Sequence, residues 1–179
     1  MNDKNVPVSG TSTDANPVTF IWLRATSAHL LTLADAMWCH LSPDAPHVPK
    51  AKMRARMCES GKHFWLFALE TSALPAKHPL GMASLFYTAD SSVAEIHEVV
   101  VDPASRGQHL GEQIVRMLIE HARHEAMRRR SPIDLELSSK PKRVAANTLY
   151  LKLGFLCIAP AGEGRDSNHY RMAIAPQVE

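Results

Sequence analysis

Long hydrophobic runs, paired cysteines and an excess of one charge are all missing from this sequence of 179 residues. No apolar run approaches the ~20 residues that a membrane-spanning helix needs, and the N-terminus lacks the pattern of a secretory signal. We therefore expect no membrane partner. The formal net charge of +2 is far from the strongly basic balance typical of nucleic-acid-binding proteins, so no nucleic-acid partner is predicted.

Cysteine is scarce, and its spacing excludes two kinds of site. Cys39, Cys58 and Cys157 are far apart and lack the Cys-x-x-Cys spacing of zinc and redox centres. Dispersed cysteines in odd number argue against a disulfide framework and fit the reducing cytoplasm, where we expect this protein. Cys157 lies in an apolar strand and is interpreted as a core residue. His121 and His124 share a helix face but lack a third ligand, so they are interpreted as a surface pair and no metal is predicted.

Length and composition fit one ordinary globular domain, since 45% of the residues are hydrophobic and 21% are charged. Residues 1–17 are polar and lack hydrophobic periodicity, so they are predicted to form a disordered tail. Residues 18–179 are predicted to form a single domain with one core.

Hydrophobic periodicity predicts the elements of that domain. Segments of strand character are found at 18–24, 63–70, 80–88, 93–101, 133–138, 155–159 and 168–174. Helical segments are predicted after a cap at Thr26 or Ser27, over 50–59, from the loop after 101 to about 130, and over 142–153. This order, βααβββαβαββ, predicts an α/β (α+β) fold with a mixed central sheet of about seven strands and helices on both faces. The strands at 93–101 and 133–138 flank a crossover helix and should be parallel neighbours.

One stretch, Val99 to Glu112, carries the strongest functional signal. A β-branched strand leads through a proline-containing turn into a glycine-bearing loop that begins a long amphipathic helix. The first N–H groups of a helix lack internal partners, and the helix dipole favours negative charge there. Gly107 and Gly111 remove side chains where a phosphate must approach the backbone. We therefore expect a pyrophosphate to bind residues 106–112.

Two motifs resemble the GNAT superfamily of acyl-CoA-dependent N-acyltransferases. Residues 106–111, Arg-Gly-Gln-His-Leu-Gly, are similar to its pyrophosphate loop, Arg/Gln-x-x-Gly-x-Gly/Ala. Residues 139–155 are similar to its second motif, with Asn147 and Tyr150 followed by a Gly-Phe pair. The resemblance covers residues 80–174 well and residues 18–79 only through element order. Two motifs in register are far more specific than one glycine loop.

The resemblance implies that acetyl-CoA is the co-substrate and assigns residues to it. It places the pantetheine arm and the thioester carbonyl along the backbone of Val99, Val100 and Val101, and makes Asn147 a cofactor contact. Tyr150 becomes a cofactor contact and the general acid near the thiolate sulfur. The predicted pyrophosphate contacts are Arg106, Gly107, Gln108, His109, Leu110, Gly111 and Glu112. Buried sheet and core tyrosine are the structural alternatives for the valines and for Tyr150.

Direct transfer to an amine also needs a base that removes a proton from the ammonium group. Glu98 and His97 precede the end of the strand, and alternation places them on opposite faces. Glu98 is our candidate and His97 the second choice. Glu95 is a weaker option because it lies further from the thioester.

The loop departs from the family pattern at His109, which replaces the first motif glycine. A histidine keeps its backbone N–H but adds bulk beside the expected phosphate. Either the imidazole points away and the substitution is tolerated, or the imidazole contacts the phosphate. We favour the first interpretation, because only backbone donors are required in such a nest.

The resemblance thus implies an N-acetyltransferase that moves an acetyl group directly from acetyl-CoA to a primary amine in a ternary complex. A catalytically silent acyl-CoA-binding or regulatory domain and a nucleotide-binding protein are the alternatives. Tyr150 and Glu98 favour the enzyme, whereas His109 favours the silent domain. The acceptor is a small-molecule amine or a peptide or protein amine, bound by residues 26–62 and 160–167. Both a monomer and a homodimer are compatible with the sequence.

Overall fold

The computed structural model describes residues 18–23, 28–41, 55, 63–70, 79–88, 92–162 and 164–176. The tail predicted over 1–17 and the cap predicted at Thr26 or Ser27 lie outside these ranges. The helix predicted over 50–59 also lies outside them, apart from Ala55. The described elements are, in order, β1 (Val18–Leu23), α1 (Ala28–Leu41), β2 (His63–Glu70), β3 (Gly81–Tyr87), β4 (Val93–Val101), a 3₁₀ turn (Pro103–Ser105), α2 (Leu110–Arg129), β5 (Ile133–Ser139), α3 (Val144–Lys152), β6 (Leu156–Ala159) and β7 (Asn168–Ile174).

The seven strands form one sheet in the order β1-β2-β3-β4-β5-β7-β6. β4 and β5 are parallel, whereas β1 with β2, β5 with β7 and β6 with β7 are antiparallel. The sheet is therefore mixed, and the predicted parallel pair on either side of the crossover helix is confirmed. The predicted fold class is confirmed with it.

The β3–β4 pair is antiparallel, as its end bonds show. The N–H of Thr88 donates to the carbonyl of Val93 at 3.0 Å, and the N–H of Asp102 donates to that of Leu80 at 2.9 Å. The C-terminal end of each strand thus lies beside the N-terminal end of the other, as in an antiparallel pair. This hairpin brings the middle of β3 beside the C-terminal part of β4.

The described chain forms two compact units. Unit 1 comprises the described residues up to Ser84 together with Glu98–Ile114, and unit 2 comprises Leu85–His97 together with the described residues from Val115 onward. The strands β3 and β4 and the helix α2 each contribute to both units. No helix in the described ranges combines the length and the hydrophobicity that a membrane span requires.

The core of unit 1 lies between α1 and one face of the sheet. Alternation along a strand places every second side chain on the same face, and in β2 these residues are Trp65, Phe67 and Leu69. They form one buried cluster with residues of α1, β3 and β4, namely Ala34, Met37, Met82 and Val100. Burial of each large apolar side chain contributes about 1.5–3 kcal/mol, so this cluster fixes α1 on the sheet.

The opposite face of β3 carries the beginning of α2. Gly81 precedes Met82 and therefore faces away from the α1 cluster. A Cβ atom at Gly81 would lie 2.7 Å from Cδ1 of Ile114, which is fully buried in α2. Helices thus cover both faces of β3 in unit 1, as the sequence predicts.

Unit 2 corrects the interpretation of His121 as half of a surface pair. His121 is half-buried, and its Nδ1 lies 2.9 Å from the hydroxyl of the buried Tyr87. The guanidinium of Arg129 covers the Tyr87 ring at 4.8 Å from its centroid. The side chain of His121 therefore packs against β3, whereas His124 is exposed as the sequence predicts.

Unit 2 also corrects the interpretation of Cys157 as a core residue. Cys157 is exposed because β6 is an edge strand, and its neighbours Leu156 and Ile158 are exposed as well. An apolar strand sequence indicates strand formation, but it does not reveal whether the strand is covered.

The close approach at Gly81 generates a prediction about stability. Gly81→Ala should lower the free energy of unfolding by about 1–3 kcal/mol, because the new methyl group overpacks the contact with Ile114 and lies 3.1 Å from the carbonyl oxygen of Val100. Denaturant unfolding measures this difference. Ser138→Ala, at an exposed position of β5, is the control and should stay within about 0.5 kcal/mol of the parent. Equal stability of G81A and S138A would contradict the packing argument.

Candidate active site

The strand β4 changes its hydrogen bonding just before its C-terminal end. Its pairs with β5 run from Val93 with Asp134 to Ile96 with Leu137, and none follows in the described register. Glu98 then has a φ of 52°, a left-handed conformation that is uncommon for a residue other than glycine. A single residue of this kind inside a strand is typical of a bulge, which interrupts a ladder and redirects side chains. The predicted contacts of the Val99–Val101 backbone to a pantetheine arm begin directly after it.

The side chain of Glu98 is half-buried and lies beside β3 in unit 1. A carboxylate there needs a hydrogen-bond donor, because removing a charge from water is costly. The hydroxyl of Ser84, which is fully buried in β3, donates to Oε2 of Glu98. The carboxylate is thereby attached to the middle of the sheet in unit 1.

The second base candidate has a different environment. Nε2 of His97 lies 3.0 Å from Oε2 of Glu95, and both side chains are about two-fifths exposed. His97 and Glu95 belong to unit 2 and form an exposed pair on the strand. This pairing favours Glu98 over His97 as the candidate base.

A short turn connects β4 to the predicted pyrophosphate loop. The side chain of Asp102 accepts a hydrogen bond from the N–H of Ala104 at 2.7 Å and thereby caps the 3₁₀ turn. Nε of Arg106 donates to the carbonyl of Val101 at 3.3 Å, so the arginine folds back onto the strand end. These bonds fix the loop relative to β4 within unit 1.

The loop itself uses the left-handed conformation twice, at Gly107 (φ 81°) and at His109 (φ 58°). This geometry explains why the family pattern has glycine at the position of His109, since a Cβ atom strains a left-handed residue. The imidazole of His109 is 78% exposed, and its Nδ1 lies 3.9 Å from Oε2 of Glu112. Its orientation favours the interpretation in which only the backbone N–H of His109 is used.

The donors of this loop fit a bound pyrophosphate. Within the described residues, no backbone carbonyl accepts a hydrogen bond from the N–H of Gly107, Gln108 or His109. A Cβ atom at Gly107 would have no heavy atom within 4 Å, so a ligand can approach the backbone there. Leu110 and Gly111 add the first N–H groups of α2. Exposed donors at a helix N-terminus are suited to an anion of this size.

The second motif lies in unit 2 and centres on a buried tyrosine. Tyr150, on α3, is 5% exposed and packs against the rings of Phe155 at 6.0 Å and Tyr170 at 5.7 Å between centroids. Burial raises the pKa of Tyr150 to about 12, and Arg143 opposes part of this increase. The phenol is therefore protonated at neutral pH. Among the described residues, its hydroxyl has no hydrogen-bond partner, so it keeps a proton to donate.

Asn147 holds the chain around this tyrosine. Its Nδ2 donates to the carbonyls of Lys140 at 3.0 Å and Pro141 at 3.4 Å, and its Oδ1 accepts from the hydroxyl of Tyr170 at 3.0 Å. The side chain thus links the β5–α3 connection to β7. Its predicted contact to the cofactor stays a prediction.

Sequence reasoning missed Ser84 and Tyr170. Ser84 is the one hydroxyl among the small and apolar residues at 81–86, and a polar group in such a strand signals a specific partner. Tyr170 pairs with Leu137 across the β5–β7 ladder, and this long-range register cannot be read from either strand alone.

The backbone of His109 generates a prediction. His109→Gly should raise the free energy of unfolding by about 0.5–1 kcal/mol. Glycine removes the strain of the left-handed conformation, and the higher entropy of the unfolded chain offsets part of this gain. Gln108→Gly, at the neighbouring exposed position without a positive φ, is the matched control. It should lower the free energy of unfolding by about 0.5 kcal/mol. Equal losses in the two variants, measured by denaturant unfolding, would show that residue 109 is not strained.

Known proteins share parts of this sequence and its fold. The model of the acetyltransferase (GNAT) family matches residues 30–155 of the chain. Glucosamine 6-phosphate N-acetyltransferase 1 from Oryza sativa subsp. japonica is 38% identical over 89 residues, which cover 46% of this chain and 53% of that protein. The chain therefore spans about half the length of this relative.

Two solved structures share the fold at low sequence identity. An acetyltransferase of the GNAT family from Staphylococcus aureus superposes with a TM-score of 0.65 at 12% identity, covering 87% of this chain and 99% of that one. NAA60 of Arabidopsis thaliana, solved with a bisubstrate analogue, gives a TM-score of 0.66 at 11% identity, covering 89% and 100%. Because the family model matches well over half of the sequence, the chain belongs to the GNAT acetyltransferase family.

Proposed function

We propose that this protein is an N-acetyltransferase that transfers the acetyl group of acetyl-CoA directly to a primary amine. Family membership supports the class of reaction. The observation that carries the proposal for this chain is Tyr150, a residue that is 5% exposed and protonated at neutral pH, and whose hydroxyl has no described hydrogen-bond partner. A silent binding domain has no need of such a proton donor, whereas a departing thiolate requires one.

Bound acetyl-CoA would supply the acetyl thioester, and the residues of the chain divide the remaining work. The N–H groups of the loop at 107–111 hold the pyrophosphate, and the N–H of Val101 or a neighbour stabilises negative charge on the carbonyl oxygen. Glu98 takes a proton from the ammonium group of the acceptor. The nitrogen then bonds to the carbonyl carbon, the carbon–sulfur bond breaks, and Tyr150 donates its proton to the sulfur. The surplus proton on the new amide nitrogen restores the Tyr150 phenol, and Glu98 releases its proton to water.

The position of Glu98 also supports the part of the chain that we assign to the acceptor. Ser84 shares the face of β3 that carries Met82, and Met82 packs in the α1 cluster. The carboxylate that Ser84 holds is therefore on the α1 face of the sheet in unit 1. The residues of α1, which belong to the segment 26–62, are thus suited to present an amine to Glu98.

The acceptor is proposed by class only, as a small-molecule amine or a peptide or protein amine. The named relatives include one that acetylates glucosamine 6-phosphate. We also propose that residues 18–179 act as one catalytic domain, in the cytoplasm and without a metal. A panel of amines that contains glucosamine 6-phosphate, amino acids and peptide N-termini would cover these classes.

Binding of the co-substrate is the first expected result. Calorimetric titration of the purified protein with acetyl-CoA should give micromolar affinity, because the loop presents unused N–H donors at a helix N-terminus. A second titration with CoA shows how much the acetyl group contributes to the affinity. Absence of binding for both ligands would refute the acetyltransferase proposal. Binding with no turnover on any acceptor class would favour the silent acyl-CoA-binding domain.

Loss of the proposed acid should slow turnover selectively. Tyr150→Phe should lower kcat by about 10²-fold while the affinity for acetyl-CoA stays unchanged, because the ring is kept and only the proton donor is lost. Tyr87→Phe is the matched control, since Tyr87 is also a buried tyrosine of unit 2 but hydrogen-bonds to His121. Its kcat should equal that of the parent. Unchanged turnover in Y150F would remove Tyr150 from the mechanism.

A further inference from the structure

The hydrogen bond between Ser84 and Glu98 carries an inference that rests on the proposed function. Ser84 is fully buried in the middle of β3, and its hydroxyl donates to Oε2 of Glu98. Fourteen residues separate the two along the chain, so the bond depends on the hairpin that pairs β3 with β4. It is a tertiary contact and not a local turn.

The surroundings of this bond are apolar. Met82 lies two residues before Ser84 and Val100 two residues after Glu98, and both belong to the buried cluster under α1. A serine among these apolar residues loses its contact with water, and this loss lowers the stability of the fold unless the hydroxyl finds a hydrogen-bond acceptor. Its acceptor is the carboxylate at the one position of β4 that has a left-handed backbone.

This geometry restricts the carboxylate. The left-handed φ of Glu98 departs from ordinary strand geometry, and a flexible glutamate there could adopt several rotamers. A donor anchored in the strand next to it selects the rotamer in which Oε2 meets Ser84. General-base catalysis depends on geometry first, because a proton is transferred only over hydrogen-bond distance.

We propose that Ser84 is a positioning residue for the reaction and orients Glu98 for removal of the acceptor's proton. It touches neither the acceptor nor acetyl-CoA in this role. The proton goes to the Glu98 carboxylate, and the hydroxyl of Ser84 remains the donor of its bond throughout.

The test compares Ser84→Ala with the full-length parent. S84A should lower kcat about tenfold, because a hydrogen bond to a charged group is lost. The affinity for acetyl-CoA, measured by calorimetry, should stay unchanged. Ser138→Ala is the control, since Ser138 is exposed and lies outside both motifs, and its kcat should equal that of the parent. Circular dichroism and thermal denaturation of both variants confirm that they fold.

A double-mutant cycle with Glu98→Gln separates this inference from the proposed function. E98Q should be slow, and S84A in the E98Q background should cause no further loss, because its target is already gone. Full activity in E98Q would overturn the role of Glu98 as base. A slow E98Q beside an S84A variant with parental kcat would overturn the role of Ser84 alone. A further tenfold loss in the double variant would show that Ser84 acts independently of Glu98, which also overturns the inference.

Discussion

The chemistry proposed for this protein depends on the point at which β4 stops pairing with β5. A parallel ladder that continued to Val101 would use the backbone groups of residues 98–101 internally. The described pairs end at Ile96 and Glu98 is left-handed, and we propose that the pantetheine arm lies along the backbone of Val99–Val101 beyond this point. The same change in backbone direction carries Glu98 toward Ser84 and leads into the loop that begins α2. The proposed base, the end of β4 and the proposed phosphate loop therefore all lie at or directly after one local irregularity of the backbone.

Rigid packing around that point keeps the irregularity in place. The α1 cluster covers one face of β3, and Ile114 meets Gly81 on the other. A left-handed glutamate and a left-handed histidine are each unfavourable by roughly 1–3 kcal/mol, and only surrounding structure can hold them. Residues with strained backbones are common at enzyme active sites, because the strained conformation orients a side chain or backbone group for the reaction.

Much of the fold follows from patterns that the sequence displays locally. Strand alternation, the crossover order and the glycine loop predict the parallel β4–β5 pair and the position of α2. The errors concern contacts between distant segments. The sequence predicts an exposed His121, since its helix does not reveal the partner Tyr87, which lies 34 positions earlier. It predicts a buried Cys157, since the sequence of an edge strand looks like that of a covered strand. The bond from Ser84 to Glu98 also needs a register that no single segment contains.

Exposure of Cys157 on the edge strand β6 has a practical consequence for assays of this protein. Reagents that detect the thiol of released CoA react equally with an accessible protein thiol. Every chain thus contributes a stoichiometric signal from Cys157 that scales with protein concentration and does not grow with time. Turnover is distinguished from this background by its continued increase with time, and alkylation of Cys157 before the assay removes the contribution of this thiol.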